Sequence, residues 1–423
     1  LKKAQEVFDN LPNRTVMSWN TLIARYAKHD LSEKALDCFE QMKLEGVTPD
    51  AITFTCSLKA CGIIQDLSKG IEIHGEIVRK RLLKSDPVLG SALVDMYGKA
   101  GLLQKSLEIF DQLPSSRTVG SWNAIIAAYT REGRGKEALS FFIQMKLEGV
   151  LPNSITCICI LSACRDIGSI EMGRKIHSII KTGWPIEESA VISSALIGIY
   201  SQFGLLEQVE DLFNEAPSRN VDLWNALISC YAKHELSKKV LEGLKQMQVE
   251  GVFPDAITYA CSLKTCGNIG ALGKGRELHA EMVAQHFYGR DLMVGNALIH
   301  MYGKCGFLVE AHKAFNNMLE KNIISWNTLM AGYVKHNCYG EALSFFEKME
   351  CKGVLPDAVT FACILKACNG IGAIGKGIEI HHEAERKGFL ERDLVLGNTL
   401  IDMYAKHGFL TEAQGVFDKL PKQ

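Results

Sequence analysis

Between Val16 and Asp50, apolar positions recur at helical spacing in two blocks: Leu22, Ile23 and Tyr26, then Ala35, Leu36, Phe39 and Met42. Asp30 to Ser32 separates the blocks. Gly46, followed by Pro49, closes the second in a way suited to a left-handed cap. The stretch is predicted to be a helical hairpin. It returns from Val119, Val221 and Ile323, each copy opening on Trp-Asn (Trp19-Asn20, Trp122-Asn123, Trp224-Asn225, Trp326-Asn327) and closing on Gly-Val-x-Pro-Asp/Asn. A period of roughly 102 residues marks a repeat array.

Two further patterns fill each interval. A variant unit runs over Ala51–Asp86, Ser154–Ser189, Ala256–Asp291 and Ala358–Asp393, its first copy reading AIT-x-x-C-x-L-x-x-C and then, after a glycine-containing turn, KGIEIHGEIV. A short unit starts at Pro87, Ala190, Leu292 and Leu394; its first copy ends in an amphipathic helix near Leu113-Pro114. Residues 1–15 match the sequence from Leu410 onward, so the chain is expected to start inside a short unit with one orphan helix. The organisation predicted is a partial short repeat (1–15) and four long-variant-short triplets, 16–118, 119–220, 221–322 and 323–423, the last short repeat stopping before its end. About 25 helices in all make an all-α solenoid.

Composition agrees with this without adding to it. At 47% hydrophobic and 22% charged residues, disorder is excluded as the dominant state. No apolar run is long enough for a membrane span. A formal charge of -1 supplies no overall field for a polyanion, so any nucleic acid must be met by locally clustered cations. Eight of the 14 cysteines recur in phase with the repeat, which favours reduced, buried thiols over disulfides. The chain opens on Leu1 with no signal or transit segment, and neither end has the polarity of a natural cap, so it is expected to be a fragment.

In each long unit Trp19, Leu22, Ile23 and Tyr26 or their equivalents form the packing stripe, leaving Asn20, Asn123, Asn225 and Asn327 on another side of the first turn. Asparagine is a mediocre helix former, so its return asks for a role. The short units place Ser91, Ser194, Asn296 and Asn398 at the same offset. Eight residues further on comes a basic residue, at Lys28, Lys99, Arg131, Lys233, Lys304, Lys335 and Lys406, with Gln202 the exception. A line of cations beside a line of amides suits a nucleic-acid strand, phosphates held by charge and base edges read by amides. Lysines at helix C-termini also offset the helix dipole. The residue closing each long unit, Asp50, Asn153, Asp255 or Asp357, is a natural N-cap as well as a candidate base reader.

Catalytic signals are weak. His-x-Glu occurs at His74, His279 and His381, yet no Cys-x-x-Cys accompanies it as a zinc deaminase requires. These histidines and His177 keep phase with the variant unit, so packing or hydrogen bonding is expected. The pairs Cys56/Cys61, Cys159/Cys164, Cys261/Cys266 and Cys363/Cys368 are five apart, which turns them away from a common metal site. The glycines of GALGKG near Gly273 are placed in an inter-helix turn and lack the Lys-Ser/Thr of a phosphate loop. No cofactor or metal is expected.

With Trp-Asn-x-L/I-I, GV-x-PD, L-K-A-C…KG-x-x-IH and A-L-x-D-M-Y-x-K-x-G in strict rotation, the chain resembles the pentatricopeptide repeat proteins of plants, more narrowly their subclass with alternating long, variant and short motifs. The resemblance implies a right-handed superhelix binding single-stranded RNA, one base per repeat. It implies too that the fifth and last residues of a motif choose the base. Carried over, Asn20/Asp50, Asn225/Asp255 and Asn327/Asp357 would read U; Asn123/Asn153 and Asn296/Asn322 would read C, tolerating U; Ser194/Asn220 would read A. Ser91/Thr118 matches poorly, as a purine reader; Thr55/Asp86 would suit G; Ile158, Ala260 and Ala362 look like spacers; Asn398 would favour a pyrimidine. The implied target is 5′-U-(G)-R-C-n-A-U-n-Y-U-n-Y-3′.

Apolar second residues would clamp the bases: Met17, Val88, Val191, Met293, Ile324 and Val395, with Gly120 and Asp222 departing from the pattern. The subclass acts mostly in C-to-U RNA editing in mitochondria or plastids, through a C-terminal deaminase carried in cis or recruited as a partner. No deaminase is present in these residues, so the chain is expected to recognise RNA without being an enzyme. RNA stability or splicing by the same array, or a protein-interaction scaffold, are the alternatives.

Overall fold

The computed structural model describes residues 2–29, 31–84, 86–113, 117–182, 190–285, 289–390 and 392–420. Asp30, Pro114 and the Ser189 boundary, named above as breaks or unit ends, lie outside them. Among the described residues there are 25 α-helices and no strand. The chain divides into two compact units, Leu1–Arg219 and Asn220–Gln423.

Within each unit the helices pair as hairpins. A long repeat contributes two helices of 13 residues, such as Val16–Lys28 and Ser32–Leu44. A variant repeat contributes Ala51–Ile64 and Leu67–Arg79, a short repeat Pro87–Lys99 and the 10-residue Leu103–Gln112. The leading helices of successive repeats pack side by side as one layer, and each trailing helix packs on its own leading helix and on the next. The orphan helix Lys2–Asp9 takes the trailing place ahead of Val16–Lys28.

The boundaries follow from local chemistry. Gly46, Gly149, Gly251 and Gly353 all take φ between +72° and +76°, the left-handed conformation that ends the long hairpin. The next helix starts at an aspartate or asparagine cap. Gly273 is not in a turn as the pattern suggested: Gly270 makes the turn, with φ +69°, while Gly273 and Gly275 belong to the helix Leu272–Ala284.

What fills the space between leading and trailing layers differs by repeat type. In long repeats the fourth residue is tryptophan, and Trp19, Trp122 and Trp326 meet Phe8, Phe110 and Phe315 of the preceding trailing helix edge-on, at 4.5, 4.8 and 4.8 Å. A cation covers each phenylalanine from the loop: Arg14, Arg117 and Lys321. In three of the four short repeats the fourth residue is Gly90, Gly295 or Gly397, with Ser193 in the other, and Leu113, Met318 or Leu420 from the end of the trailing helix occupies the place of a side chain. A Cβ on Gly295 would lie 2.7 Å from Met318 Cε.

Candidate nucleic-acid interface

The fifth-position asparagines of the long repeats are not open to one side, as their place off the tryptophan stripe suggested. Asn20, Asn123, Asn225 and Asn327 are only 6–8% exposed. Each is held by the first turn of the following leading helix. Asn20 Nδ2 donates to Asp50 Oδ1 at 3.0 Å, and Thr53 Oγ1 donates to Asn20 Oδ1 at 2.6 Å. The Thr53 N–H in turn donates to Asp50 Oδ1 at 2.8 Å and the Asp50 N–H to Thr53 Oγ1 at 3.2 Å, a capping box. The same ring closes around Asn123, Asn153 and Thr156; Asn225, Asp255 and Thr258; and Asn327, Asp357 and Thr360.

Thr53, Thr156, Thr258 and Thr360 are therefore the hubs of these sites, fully buried. Sequence reasoning missed them. The signal was the threonine recurring three places after the closing Asp/Asn. Burial pushes the Asp50 carboxyl upward, but the Thr53 N–H and the Asn20 amide that donate to it hold it below the ordinary carboxylate range. The amide keeps one N–H and the carboxylate keeps lone pairs for a ligand.

Short repeats lack this ring. Their closing residues do cap: Thr118 accepts from the Ser121 N–H, Asn220 from the Leu223 N–H and Asn322 from the Ser325 N–H. Their fifth residues are differently engaged. Ser91 Oγ donates to the Pro87 carbonyl at 2.9 Å and lies 3.4 Å from Thr118 Oγ1; Ser194 Oγ donates to the Ala190 carbonyl. Asn296 Oδ1 is buried and has no partner among the described residues. Asn398 lies in Leu394–Lys406, a helix capped by Asp393. In the first variant repeat Thr55 is buried, and Asp86 caps the next helix by accepting from the N–H groups of Val88 and Leu89. No hydrogen bond joins Thr55 to Asp86 among the described residues. Ala260 and Ala362 are buried and Ile158 is half-buried.

Beside the reading positions runs an apolar row. Met17, Val88, Val191, Met293, Ile324 and Val395 are all exposed, as is Asp222 where the row is broken. The variant repeats continue the row with Ile52, Ile155, Ile257 and Val359, also exposed and not singled out from sequence. Exposed aliphatic side chains in register on one helical layer are surface that burial in the fold does not explain.

Each basic residue of the cation line is the last residue of its leading helix, so the dipole role and the phosphate role coincide in position. Lys28, Arg131, Lys233, Lys304, Lys335 and Lys406 are exposed. Lys99 differs: it pairs with Asp95 at 2.7 Å, which neutralises it for a phosphate. Lys335 Nζ donates to the Lys304 carbonyl at 2.9 Å, capping its neighbour's C-terminus while remaining exposed. The variant repeats add Lys59, Lys264 and Lys366, exposed and one helical turn after the fifth residue.

In the C-terminal unit these groups converge. A cleft of about 420 Å³ is lined by Asn327, Asp357, Ile324, Val359, Lys304 and Lys335, among others. It thus has amide and carboxylate on one wall, two aliphatic side chains and two ammonium groups.

The remaining candidates are structural. His74, His177, His279 and His381 each meet a tyrosine of the next leading helix through Nδ1, with Tyr97, Tyr200, Tyr302 and Tyr404 at 2.8–2.9 Å. Burial lowers the pKa of His74, His279 and His381. Cys61, Cys164, Cys266 and Cys368 are buried free thiols, pushed up to about 12, 11, 11 and 11 by burial. No group of three potential metal ligands occurs among the described residues.

Comparison with known proteins matches this geometry to one family. The profile of the PPR repeat family matches residues 14–62, 117–166, 219–268 and 321–369, and that of the PPR repeat matches 91–117, 191–221, 296–323 and 398–423. A chloroplastic pentatricopeptide repeat-containing protein of Arabidopsis thaliana is 36% identical over 88% of this chain and 60% of its own length. A mitochondrial one from the same plant is 32% identical over 100% of this chain and 48% of its own. The chain thus spans about half to three-fifths of these relatives. Among solved structures, the pentatricopeptide repeat protein PPR10 from maize superposes with a TM-score of 0.62 at 19% identity, covering 97% of this chain and 65% of that one. PPR10 in complex with an 18-nt psaJ RNA element gives 0.70 at 22% identity, covering 95% and 59%. These superpositions establish the α-solenoid fold.

Proposed function

This chain belongs to the pentatricopeptide repeat family, and we propose that it binds single-stranded RNA in a sequence-specific manner, one base per repeat. The observation that carries the proposal is the ring of Asn, Asp/Asn and Thr repeated in four long repeats beside an exposed aliphatic residue. Such a ring fixes an amide and a carboxylate at defined positions. An Asp end offers an acceptor to the N3–H of uracil; an Asn end also offers a donor, which suits the N3 acceptor of cytosine. On this reading the base lies between second-position residues such as Ile324 and Val359, with phosphates near Lys304 and Lys335.

The proposal includes the finer assignment to the long-variant-short subclass, the division into four triplets after a remnant at 1–15, and the base choices given above. It includes work in a mitochondrion or plastid as the recognition part of a C-to-U editing factor that recruits or carries a deaminase. Relatives named chloroplastic and mitochondrial support the organellar setting. A protein-interaction scaffold would not need polar rings beside aliphatic residues and cations.

Selection from a random RNA pool tests the base pattern directly. Asp255→Asn should then move one position from U toward C and leave its neighbours alone. An unchanged profile would reduce Asp255 to a helix cap.

A further inference from the structure

The cleft between the third short repeat and the fourth long repeat holds a histidine that the base-reading scheme does not use. His300 lies one helical turn after Asn296 on Leu292–Lys304 and lines the cleft with Asn327, Lys304 and Lys335. Its Nδ1 is buried beside Gly267 of the preceding leading helix with no partner among the described residues, while the rest of the ring lines the cleft. An unsatisfied buried nitrogen on a ring that also lines an open cleft is costly, and a charged ligand at the cleft would change the protonation that the ring prefers.

Corresponding places elsewhere are closed. Asp95 stands at this position in the first short repeat and pairs with Lys99 at 2.7 Å; Asp402, in the fourth, accepts from Asn369 at 2.9 Å. Gly198 holds the position in the second. Space is different too. Gly98 faces the methyl of Ala128, whereas Gly303 faces Gly332 at the same backbone approach with no methyl between them, and both glycines lie on the wall of the cleft. Lys264 on the preceding helix, Lys304 on the same helix and Lys335 on the following one surround the ring, and none is in a salt bridge among the described residues. Asp357 is the carboxylate on the wall of the cleft.

We propose that His300, with Lys304 and Lys335, binds a phosphodiester of the RNA, between the nucleotide read by Asn296 and that read by Asn327. This rests on the RNA-binding reading above. Burial and the three lysines push the free ring down to about 4, so it is neutral at pH 7. An arriving phosphate offsets the ammonium charges and makes a proton on the ring favourable. Binding therefore takes up a proton from solvent, and affinity rises as pH falls.

The test compares the wild-type chain with H300Q and H300D, using labelled single-stranded UGACAAUACUAU and, separately, inorganic pyrophosphate followed at the His300 ring by NMR. Asp95 and Asp402 show that aspartate is accommodated at this position, and a circular-dichroism melt checks the fold. Wild type should bind the RNA more tightly at pH 5.5 than at 7.5, and H300Q should lose that gain. H300D should weaken binding roughly tenfold or more, the scale of a charge-assisted hydrogen bond. Pyrophosphate should shift the ring resonances and raise their titration midpoint. RNA binding with the same affinity and pH dependence in wild type and H300Q overturns the inference alone. Pyrophosphate binding without RNA binding overturns the RNA reading but keeps the anion site. Neither ligand binding overturns both.

Discussion

Long and short repeats share a leading helix of 13 residues, yet they solve two problems in opposite ways. The long repeat fills its interior with tryptophan and locks its reading asparagine to the following repeat. The short repeat leaves a glycine for Leu113 or Met318 to fill, and leaves its reading residue bonded locally or unbonded. A locked amide presents a fixed pattern and needs no reordering on binding. An unbonded one depends on its ligand for the missing partner. On the proposed reading, the long repeats are the pre-organised readers and the short repeats the adaptable ones.

Four perturbations would break or sharpen that contrast. The largest effect is expected from Trp122→Ala, at about 3–5 kcal/mol, since it empties a buried contact with Phe110. Equilibrium urea unfolding measures it, with loss concentrated in the neighbouring repeats because each packs mainly on its neighbours. Gly295→Ala should cost less, about 1–3 kcal/mol by overpacking against Met318, reduced by the roughly 1 kcal/mol that alanine gains over glycine inside a helix. A Gly295→Ala chain more stable by about the 1 kcal/mol of helix propensity would mean that the short repeat is loosely packed, and the contrast would fail there.

Thr258→Val keeps the shape of the hub but removes its hydroxyl, leaving Asn225 Oδ1 without its donor. It should cost roughly 1–2 kcal/mol and blur base selection at Asn225 alone in the selected RNA pool. Retained selectivity would show that the ring is not what orients the amide.

The smallest effect is expected from mild acid. The depressed pKa values of His74, His279 and His381 mean that the unfolded chain binds protons more readily than the folded one. Their contribution is fully present above the unfolded value near 6.5 and is lost as pH falls through the folded values. Hydrogen exchange at pH 5 against pH 7 should show protection falling first where variant repeats meet Tyr97, Tyr302 and Tyr404. His312, lowered by burial, braces the long-repeat Tyr333 in the same way, so that junction should follow.

The helices were legible because one hairpin pattern is written four times, and glycine and Asp/Asn mark its ends. The phase-locked histidines were legible as packing groups, though not their tyrosine partners. The ring was not legible. Asn20 meets Thr53 across 33 residues, and nothing local in the helix Val16–Lys28 announces that its asparagine is buried. The exposed row at Ile52, Ile155, Ile257 and Val359 was not legible because the fifth position of those repeats, which would mark it, is apolar or small in three of them. The open cleft at His300 depends on the methyl missing where Gly303 meets Gly332, a pairing between helices that no local pattern announces.

The cap at the start of each variant helix accepts either side chain. Asn153 makes the same bonds to Thr156 and Asn123 that Asp50 makes to Thr53 and Asn20. On the proposed reading this is also the residue that separates uracil from cytosine. A lineage carrying such an array can then change its target one letter at a time by exchanging Asp and Asn, while folding stays nearly unaffected. Selection on recognition and selection on stability act on the same residue without opposing each other.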